Sequence, residues 1–229
     1  MVYAGMAEVA DAADLKSAGA ILVGSSPSPG TRIGYNIDMP WLIIFISYLL
    51  GSLPTSYILG RITAGRDIRR IGDENAGAAN AYRELGSKVG IITGILDAVK
   101  GSAVILIAQA VNMSQPIVLL AGVAAIVGHN WPVFLGFRGG RGVSTTIGIL
   151  LVLVTIPMLV LALPTIAILI WRRNVTPSMA FLFIALPLID WAFRVEPILI
   201  GYGVALPALV GITTFFRTRR TRPKALKRA

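Results

Sequence analysis

The sequence predicts an all-α, polytopic membrane protein with seven transmembrane helices. Of its 229 residues, 55% are hydrophobic and 14% are charged, whereas a soluble domain carries about 25% charged residues. The hydrophobic residues lie in continuous blocks, which is typical of membrane helices and unlike the alternating strands of a membrane β-barrel. The basic residues also collect in alternate loops between these blocks.

Residues 1–38 differ in composition from the rest of the chain. They are rich in Ala, Gly, Ser and Pro, and no basic segment precedes an apolar core as it does in a signal peptide. We interpret residues 1–38 as a disordered N-terminal extension or a mis-assigned start, in which case Met39 is the initiator. Residues 39–216 then form the membrane domain, and residues 217–229 form a basic cytoplasmic tail.

The first three spans are predicted at residues 41–62, 89–111 and 116–134. The first contains GSLPTSY (residues 51–57), whose proline and small residues predict a kink. A polar segment, residues 63–88, follows and is called here the first loop. The second span carries Asp97 and Lys100 on one helical face. Because charges inside a bilayer are costly unless paired, this spacing favours a structural ion pair.

The remaining hydrophobic sequence predicts four further helices. Residues 143–171 are too long for one span and contain Pro157, so two short helices at about 143–154 and 157–171 fit better than one. A polar joint, RRNVTP at residues 172–177, leads to spans at residues 178–193 and 197–216.

Seven spans place all the basic segments on one side of the membrane. By the positive-inside rule that side is cytoplasmic, with the N-terminus outside and the C-terminus cytoplasmic. The opposite loops hold only Arg194. This bias explains the net charge of +10 more simply than a nucleic-acid partner does. The basic residues are Arg61, Arg66, Arg69, Arg70, Arg83 and Lys88 in the first loop, Arg138 and Arg141 after the third span, Arg172 and Arg173 in the joint, and Arg217, Arg219, Arg220, Arg222, Lys224, Lys227 and Arg228 at the C-terminus.

Two cytoplasmic segments are candidates for anion binding. The sequence GHNWPVFLGFRGGRGV (residues 128–143, the Gly-rich stretch) has two arginines, no acidic residue and a helix predicted to follow it. Backbone N–H groups and a helix N-terminus suit an anion, although arginines that only set the topology remain an alternative. In the first loop, ENAGAANAYR (residues 74–83) offers amides and a guanidinium that match phosphate; turn formation is the alternative for its asparagines.

The sequence shows no nucleophile paired with a base. The single histidine, His129, is interpreted as a hydrogen-bonded helix-end residue, and the chain has no cysteine, so a metal centre is not expected. An enzyme built on these loops works by positioning its substrates and neutralising their charge.

The order of these motifs resembles the PlsY-type glycerol-3-phosphate acyltransferases. The resemblance covers residues 39–216 and rests mainly on NAGAAN (75–80) and on the Gly-rich stretch. It implies a seven-helix protein of the bacterial inner membrane with a cytoplasmic active face. It also implies transfer of a fatty acyl chain from acyl phosphate to the 1-hydroxyl of glycerol 3-phosphate, giving lysophosphatidic acid for phospholipid synthesis, without metal or cofactor. We expect a monomer.

The resemblance also assigns roles to particular residues. Arg138 and Arg141 stand where the family has lysines, and Thr176 stands at a family serine. The implied catalytic residues are Asn80, Arg83 and Arg138. The implied substrate- and phosphate-binding residues are Asn75, Gly77, Arg83, Arg138, Gly139, Gly140, Arg141, Gly142, Thr176 and Arg217.

Two departures from the family pattern accompany these roles. Asp73 replaces the hydroxyl of the family's G-S-G-N sequence, and the histidine and asparagine that usually follow Arg217 are absent. A carboxylate at position 73 repels phosphate unless it turns away or pairs with an arginine such as Arg69, Arg70 or Arg83. Two alternatives stay open: a diverged paralogue that acylates or binds another phosphorylated substrate, and an anion transporter.

Overall fold

The computed structural model describes residues 38–221, with side chains described from 39 to 217. Within that range every regular element is a helix, which confirms the all-α prediction. The prediction for residues 1–38 falls, except at Asp38, outside the described part of the chain, as does most of the predicted tail at 217–229.

The first predicted span is broken where the sequence predicts a kink. Helix α1 (Asp38–Gly51) ends at the glycine of the GSLPTSY motif, and α2 (Thr55–Ala64) begins directly after Pro54. Gly51 permits a close helix contact, since an added Cβ would lie 2.1 Å from the Ala125 carbonyl oxygen. The break therefore follows from the proline, and the packing of α1 follows from the glycine.

The first loop contains short helices that the sequence did not predict. A 3₁₀ turn spans Ile68–Arg70, and α3 spans Ala78–Glu84. Two long helices follow, α4 (Ser87–Ala110) and α5 (Gln115–Asn130). A second 3₁₀ turn, Val133–Leu135, lies inside the Gly-rich stretch.

The apolar segment after the Gly-rich stretch forms two helices, as predicted. Helix α6 (Val143–Leu153) and α7 (Thr155–Arg172) are separated at Val154, and Pro157 lies in the first turn of α7, where its missing N–H costs little. The last two helices are α8 (Val175–Ala192) and α9 (Pro197–Thr221).

The helices agree with a polytopic membrane protein. Between residues 38 and 221, six helical segments are long and apolar enough to cross a membrane. Helix α6 has 11 residues and is about 16 Å long, roughly half the thickness of a bilayer core. The seven predicted spans thus correspond to six helices of spanning length and one shorter helix. The six are Met39–Ala64, Ser87–Ala110, Gln115–Leu135, Thr155–Arg172, Val175–Ala192 and Pro197–Arg217.

Helices α4 and α6 approach each other closely at the centre of the protein. An added Cβ at Gly148 would lie 1.9 Å from the Ala98 carbonyl oxygen, and one at Gly101 would lie 2.3 Å from the Thr145 carbonyl oxygen. Small residues allow this approach, and close backbone packing is a main source of helix association in membranes. The contact holds α6 beside α4.

We expect Gly148→Ala to lower the free energy of unfolding by about 1–3 kcal/mol, because the added methyl group meets backbone that cannot rotate away. Gly201→Ala is the matched control, since no heavy atom lies within 4 Å of its added Cβ. Alanine there should be neutral or stabilising by about 0.5–1 kcal/mol. Unfolding of both purified variants in detergent measures the difference, and equal effects would contradict the packing described.

Candidate active site

The first loop is organised around the amide of Asn80. This side chain is fully buried, and its Nδ2 group donates to the carbonyl oxygens of Ile68, Ile71 and Asn75 at 3.0–3.2 Å. Its Oδ1 accepts a hydrogen bond from the Asp73 N–H at 3.2 Å. These bonds all lie within the loop. Asn80, implied to be catalytic by the resemblance, is therefore placed to shape the loop, and its catalytic role stays a prediction.

Tight turns bring the first loop against the Gly-rich stretch. Gly72 has a φ of +61°, and an added Cβ there would lie 2.2 Å from Asn80 Oδ1. Gly77 caps α3, and its added Cβ would lie 3.9 Å from the Gly140 Cα. Arg69 makes a second connection, because its Nη1 donates to the Leu135 carbonyl oxygen at 3.0 Å. The two predicted anion-binding segments therefore meet.

The backbone of the Gly-rich stretch turns inward. The Gly139 N–H donates to the Asn130 carbonyl oxygen at 3.2 Å, and the Gly140 N–H donates to the His129 carbonyl oxygen at 3.0 Å. Both glycines are required, since an added Cβ at Gly139 would lie 2.1 Å from the His129 oxygen and one at Gly140 would lie 2.0 Å from its Nε2. The N–H groups of Gly139 and Gly140 thus hold the turn, and the phosphate-binding role of these glycines stays a prediction.

Arg217, at the end of the last membrane span, fixes the other side of this turn. Its guanidinium donates to the carbonyl oxygens of Gly139 at 2.6 Å and Gly140 at 2.7 Å, and also to that of Asn130. It also lies 5.9 Å from the ring centre of Trp131. A planar guanidinium with several donors suits this task. Arg217, predicted to bind phosphate, is engaged with backbone oxygens of the Gly-rich stretch.

The two segments converge on the carboxylate of Asp73. Arg83 Nη2 from the first loop lies 2.8 Å from Asp73 Oδ2, and Arg141 Nη2 from the Gly-rich stretch lies 3.0 Å from the same oxygen. The expected pairing of Asp73 with an arginine is found for Arg83. Arg69 pairs instead with Asp67 at 2.8 Å. Two fixed positive charges from separate segments therefore share one anionic position.

Arg138 lies outside this convergence. It is exposed and lines a surface depression of about 320 Å³, called here the outer depression. Arg70 lines it too and is also exposed, whereas the hydrogen bonds from Arg69 hold the pKa of Asp67 below its usual range. Arg70 Nε also lies 3.9 Å from Asp67 Oδ2. The outer depression therefore carries exposed basic groups, and exposed apolar side chains of the Gly-rich stretch lie near Arg138 in the sequence. Its lining residues are Asp67, Arg69, Arg70, Leu135, Gly136 and Arg138.

Thr176 is not brought to the convergence by any described contact. Its N–H donates to Asn174 Oδ1 at 3.0 Å at the start of α8, and its side chain is exposed. Among residues 38–221, no hydrogen bond or ion pair links its hydroxyl to the first loop or the Gly-rich stretch. Its phosphate-binding role stays a prediction from resemblance.

A buried polar cluster lies below the Gly-rich stretch. Asp97 Oδ1 contacts Lys100 Nζ at 2.9 Å, which confirms the predicted ion pair, and accepts a hydrogen bond from Thr55 Oγ1 at 2.5 Å. His129 Nδ1 lies 3.6 Å from the same oxygen. Lys100 Nζ also donates to the Leu53 carbonyl oxygen at 3.1 Å, in the break between α1 and α2. The ion pair therefore ties three helical segments together.

Two of these relationships were missed by reasoning from the sequence. His129 was assigned no partner because Asp97 lies 32 positions earlier in the chain, and nothing local connects the two. Arg141 was not paired with Asp73 for the same reason. The sequence offers one general signal, which is that an acidic side chain inside a membrane protein pairs with a nearby cation. This rule does not identify the partner unless the tertiary structure is known.

This arrangement is suited to binding phosphorylated molecules at a membrane face. Guanidinium groups match phosphate oxygens in geometry and charge, and they cannot lose their protons at physiological pH. Positioned positive charge also stabilises negative charge that develops during acyl or phosphoryl chemistry. Among the described residues, the candidate ligand contacts are Arg83 and Arg141 at Asp73, and Arg70 and Arg138 at the outer depression.

Comparison with known proteins gives consistent matches over most of the chain. A family model described as "Glycerol-3-phosphate acyltransferase" matches residues 41–227. The protein "Glycerol-3-phosphate acyltransferase 4" of Dehalococcoides mccartyi is 42% identical over 184 residues, covering 80% of this chain and all of the relative. The corresponding protein of Halalkalibacterium halodurans is 37% identical over 190 residues, covering 80% of this chain and 90% of the relative.

Solved structures also share the fold. A crystal structure of PlsY, described as an integral membrane glycerol 3-phosphate acyltransferase in its glycerol 3-phosphate form, matches with a TM-score of 0.69 and 28% identity. The match covers 82% of this chain and 92% of that protein. A second structure, in the lysophosphatidic acid form, matches with a TM-score of 0.67 and 26% identity.

We expect Asp97→Asn to lower the free energy of unfolding by about 3–5 kcal/mol, because it leaves Lys100 buried without its counter-charge. Asp190→Asn is the matched control. Asp190 is also fully buried, but neither carboxylate oxygen has a hydrogen-bond partner among the described residues, so removing its charge should be neutral or stabilising. Unfolding in detergent measures both variants. If both variants lose the same free energy of unfolding, the Asp97 ion pair contributes no more to stability than an unpaired buried carboxylate does.

Proposed function

This chain belongs to the glycerol-3-phosphate acyltransferase family, and from that premise we propose that it transfers a fatty acyl group from acyl phosphate to the 1-hydroxyl of glycerol 3-phosphate. The product is lysophosphatidic acid, a precursor for phospholipid synthesis. The protein is an acyltransferase of the membrane, acting on glycerol 3-phosphate. The family match over residues 41–227 and a relative matched along its whole length support this function.

The observation that carries the proposal is the convergence of Arg83 and Arg141 on one anionic position. Each lies within 3.0 Å of Asp73 Oδ2, so their guanidinium groups already surround a site of the size and charge of one oxyanion. We place the phosphate of glycerol 3-phosphate there. Arginine forks bind phosphate through paired, charge-assisted hydrogen bonds, which supply orientation as well as affinity.

We place the phosphate of the acyl donor in the outer depression. Arg70 and Arg138 supply positive charge there, and Phe134 and Phe137 of the same stretch are 57% and 58% exposed. Exposed aromatic side chains beside basic groups are typical of a membrane interface. A donor with a charged head and a lipid tail fits this pairing, since its tail can remain in the bilayer while its phosphate contacts the arginines.

The reaction then needs positioning and charge neutralisation. The 1-hydroxyl oxygen attacks the acyl carbonyl carbon, the bond from that carbon to the phosphate oxygen breaks, and inorganic phosphate leaves. The hydroxyl proton passes to a phosphate oxygen of the substrates, because the Asp73 carboxylate beside the arginines is already paired with both of them. Holding both reactants in line lowers the barrier by removing the entropy of their encounter, and the arginines stabilise the charge on the departing phosphate.

We also propose the membrane arrangement in which this site faces the cytoplasm of a bacterium, in the inner membrane. Residues 39–216 form the acyltransferase domain and act as a monomer. Helix α6 counts as a short seventh span, so that the N-terminal end lies outside and the C-terminal end lies inside. The contact of Arg217 with Gly139 and the basic residues of the same loops support this arrangement.

We expect Arg83→Gln to lower kcat/KM for glycerol 3-phosphate by about 10- to 100-fold, because a charged hydrogen bond to phosphate is lost. Arg66→Gln is the matched control, as Arg66 is exposed in the same loop. The assay measures lysophosphatidic acid formed from acyl phosphate and glycerol 3-phosphate by purified protein in lipid. If the wild-type protein makes none under conditions where a family member is active, the proposed function fails.

A further inference from the structure

The Asp73 carboxylate lies where a phosphate is expected. Both arginines that bind it use a single carboxylate oxygen, Oδ2, at 2.8 Å and 3.0 Å. Between residues 38 and 221, the one hydrogen bond to the other oxygen, Oδ1, comes from the Asn75 N–H of its own turn at 3.3 Å. The two guanidinium groups therefore carry two positive charges against one negative charge and share one acceptor.

Arg141 keeps an unused donor at this position. Its Nε is buried and has no hydrogen-bond partner among the described residues. A buried donor without an acceptor is costly. The Nε and Nη2 groups of one arginine form a fork that matches two oxygens of the same anion. A carboxylate bound through one oxygen occupies only the Nη2 donor of this fork and leaves Nε without an acceptor. A phosphate presents three oxygens, so each arginine can have its own acceptor.

From this geometry we propose that Asp73 is a specificity-determining residue that acts as an internal competitor for the substrate phosphate. The Asp73 carboxylate occupies the Arg83–Arg141 position until a phosphate displaces it. Because the carboxylate belongs to the chain, its local concentration is high and constant. A free carboxylate has the same charge and donor-acceptor chemistry as the Asp73 side chain and therefore does not displace it. A phosphate dianion has more charge and more oxygens, so it does. Asp73 thus excludes monoanions at the expense of some affinity for phosphate.

The ion pairs of Asp73 are exposed to solvent, which allows a phosphate to replace its carboxylate. The Asp73 side chain is 28% exposed, Arg83 is 52% exposed and Arg141 is 27% exposed. Ion pairs open to solvent are weak because water competes with both partners, so a ligand can break this pair without unfolding the loop. The loop itself is held by Asn80, whose bonds involve the Asp73 backbone and not its carboxylate.

The inference rests on the proposed function, and its test separates the two. Asp73→Asn keeps the shape of the side chain, Asp73→Ser is a second variant that shortens it, and Glu74→Gln removes the same charge from the adjacent exposed residue. We measure KM for glycerol 3-phosphate and inhibition by acetate at constant ionic strength. Both Asp73 variants should lower KM by about three- to tenfold, as expected for removing two partly exposed competing ion pairs, and acetate inhibition should appear.

Glu74→Gln should change neither quantity. A KM that is unchanged or raised in both Asp73 variants, with no gain of acetate inhibition, overturns the inference while leaving the acyltransferase function intact. If no variant turns over substrate, calorimetric titration of inorganic phosphate decides the matter. Tighter phosphate binding by the Asp73 variants than by wild-type and Glu74→Gln protein supports the internal competitor, and equal or weaker binding overturns it.

Discussion

The site depends on one buried carboxylate, that of Asp97. It contacts Lys100 on its own helix, Thr55 at the start of α2 and His129 at the end of α5. An unpaired charge at this depth is strongly unfavourable, so the three segments are held where they can surround it. His129 is thereby fixed against Gly140, whose added Cβ would lie 2.0 Å from the imidazole Nε2. The position of the Gly-rich stretch follows from this contact.

The backbone of the Gly-rich stretch is engaged by groups of the protein itself. Gly139 and Gly140 donate their N–H groups to Asn130 and His129, and Arg217 binds their carbonyl oxygens. The glycines are needed because side chains would collide with this compact turn. A turn saturated by its own hydrogen bonds is rigid, and rigidity allows Arg141 to meet Arg83 at one position. Because the charge is preorganised, only the Asp73 carboxylate has to move when a substrate binds.

Much of the fold could be predicted because its signals are local. Continuous apolar blocks predicted the helices, and Pro54 and Pro157 marked the two breaks to within a few residues. The length of α6 was less predictable, since the apolar block at 143–171 does not show where the chain divides. Helix α3 was missed because ENAGAANAYR is rich in turn-forming residues, and its position depends on hydrogen bonds from Asn80 to carbonyl oxygens up to 12 positions away. The convergence of Arg83, Arg141 and Asp73 joins residues up to 68 positions apart, and no local pattern encodes such a distance.

The central claim is that Arg83 and Arg141 bind the same phosphate. A double-mutant cycle with Arg83→Gln, Arg141→Gln and the double variant, read out as kcat/KM for glycerol 3-phosphate, tests it directly. If both side chains hold one phosphate, the effects should be non-additive by about 1 kcal/mol or more. Losses that add to within about 0.5 kcal/mol would show that the two arginines act at independent sites and would contradict the account.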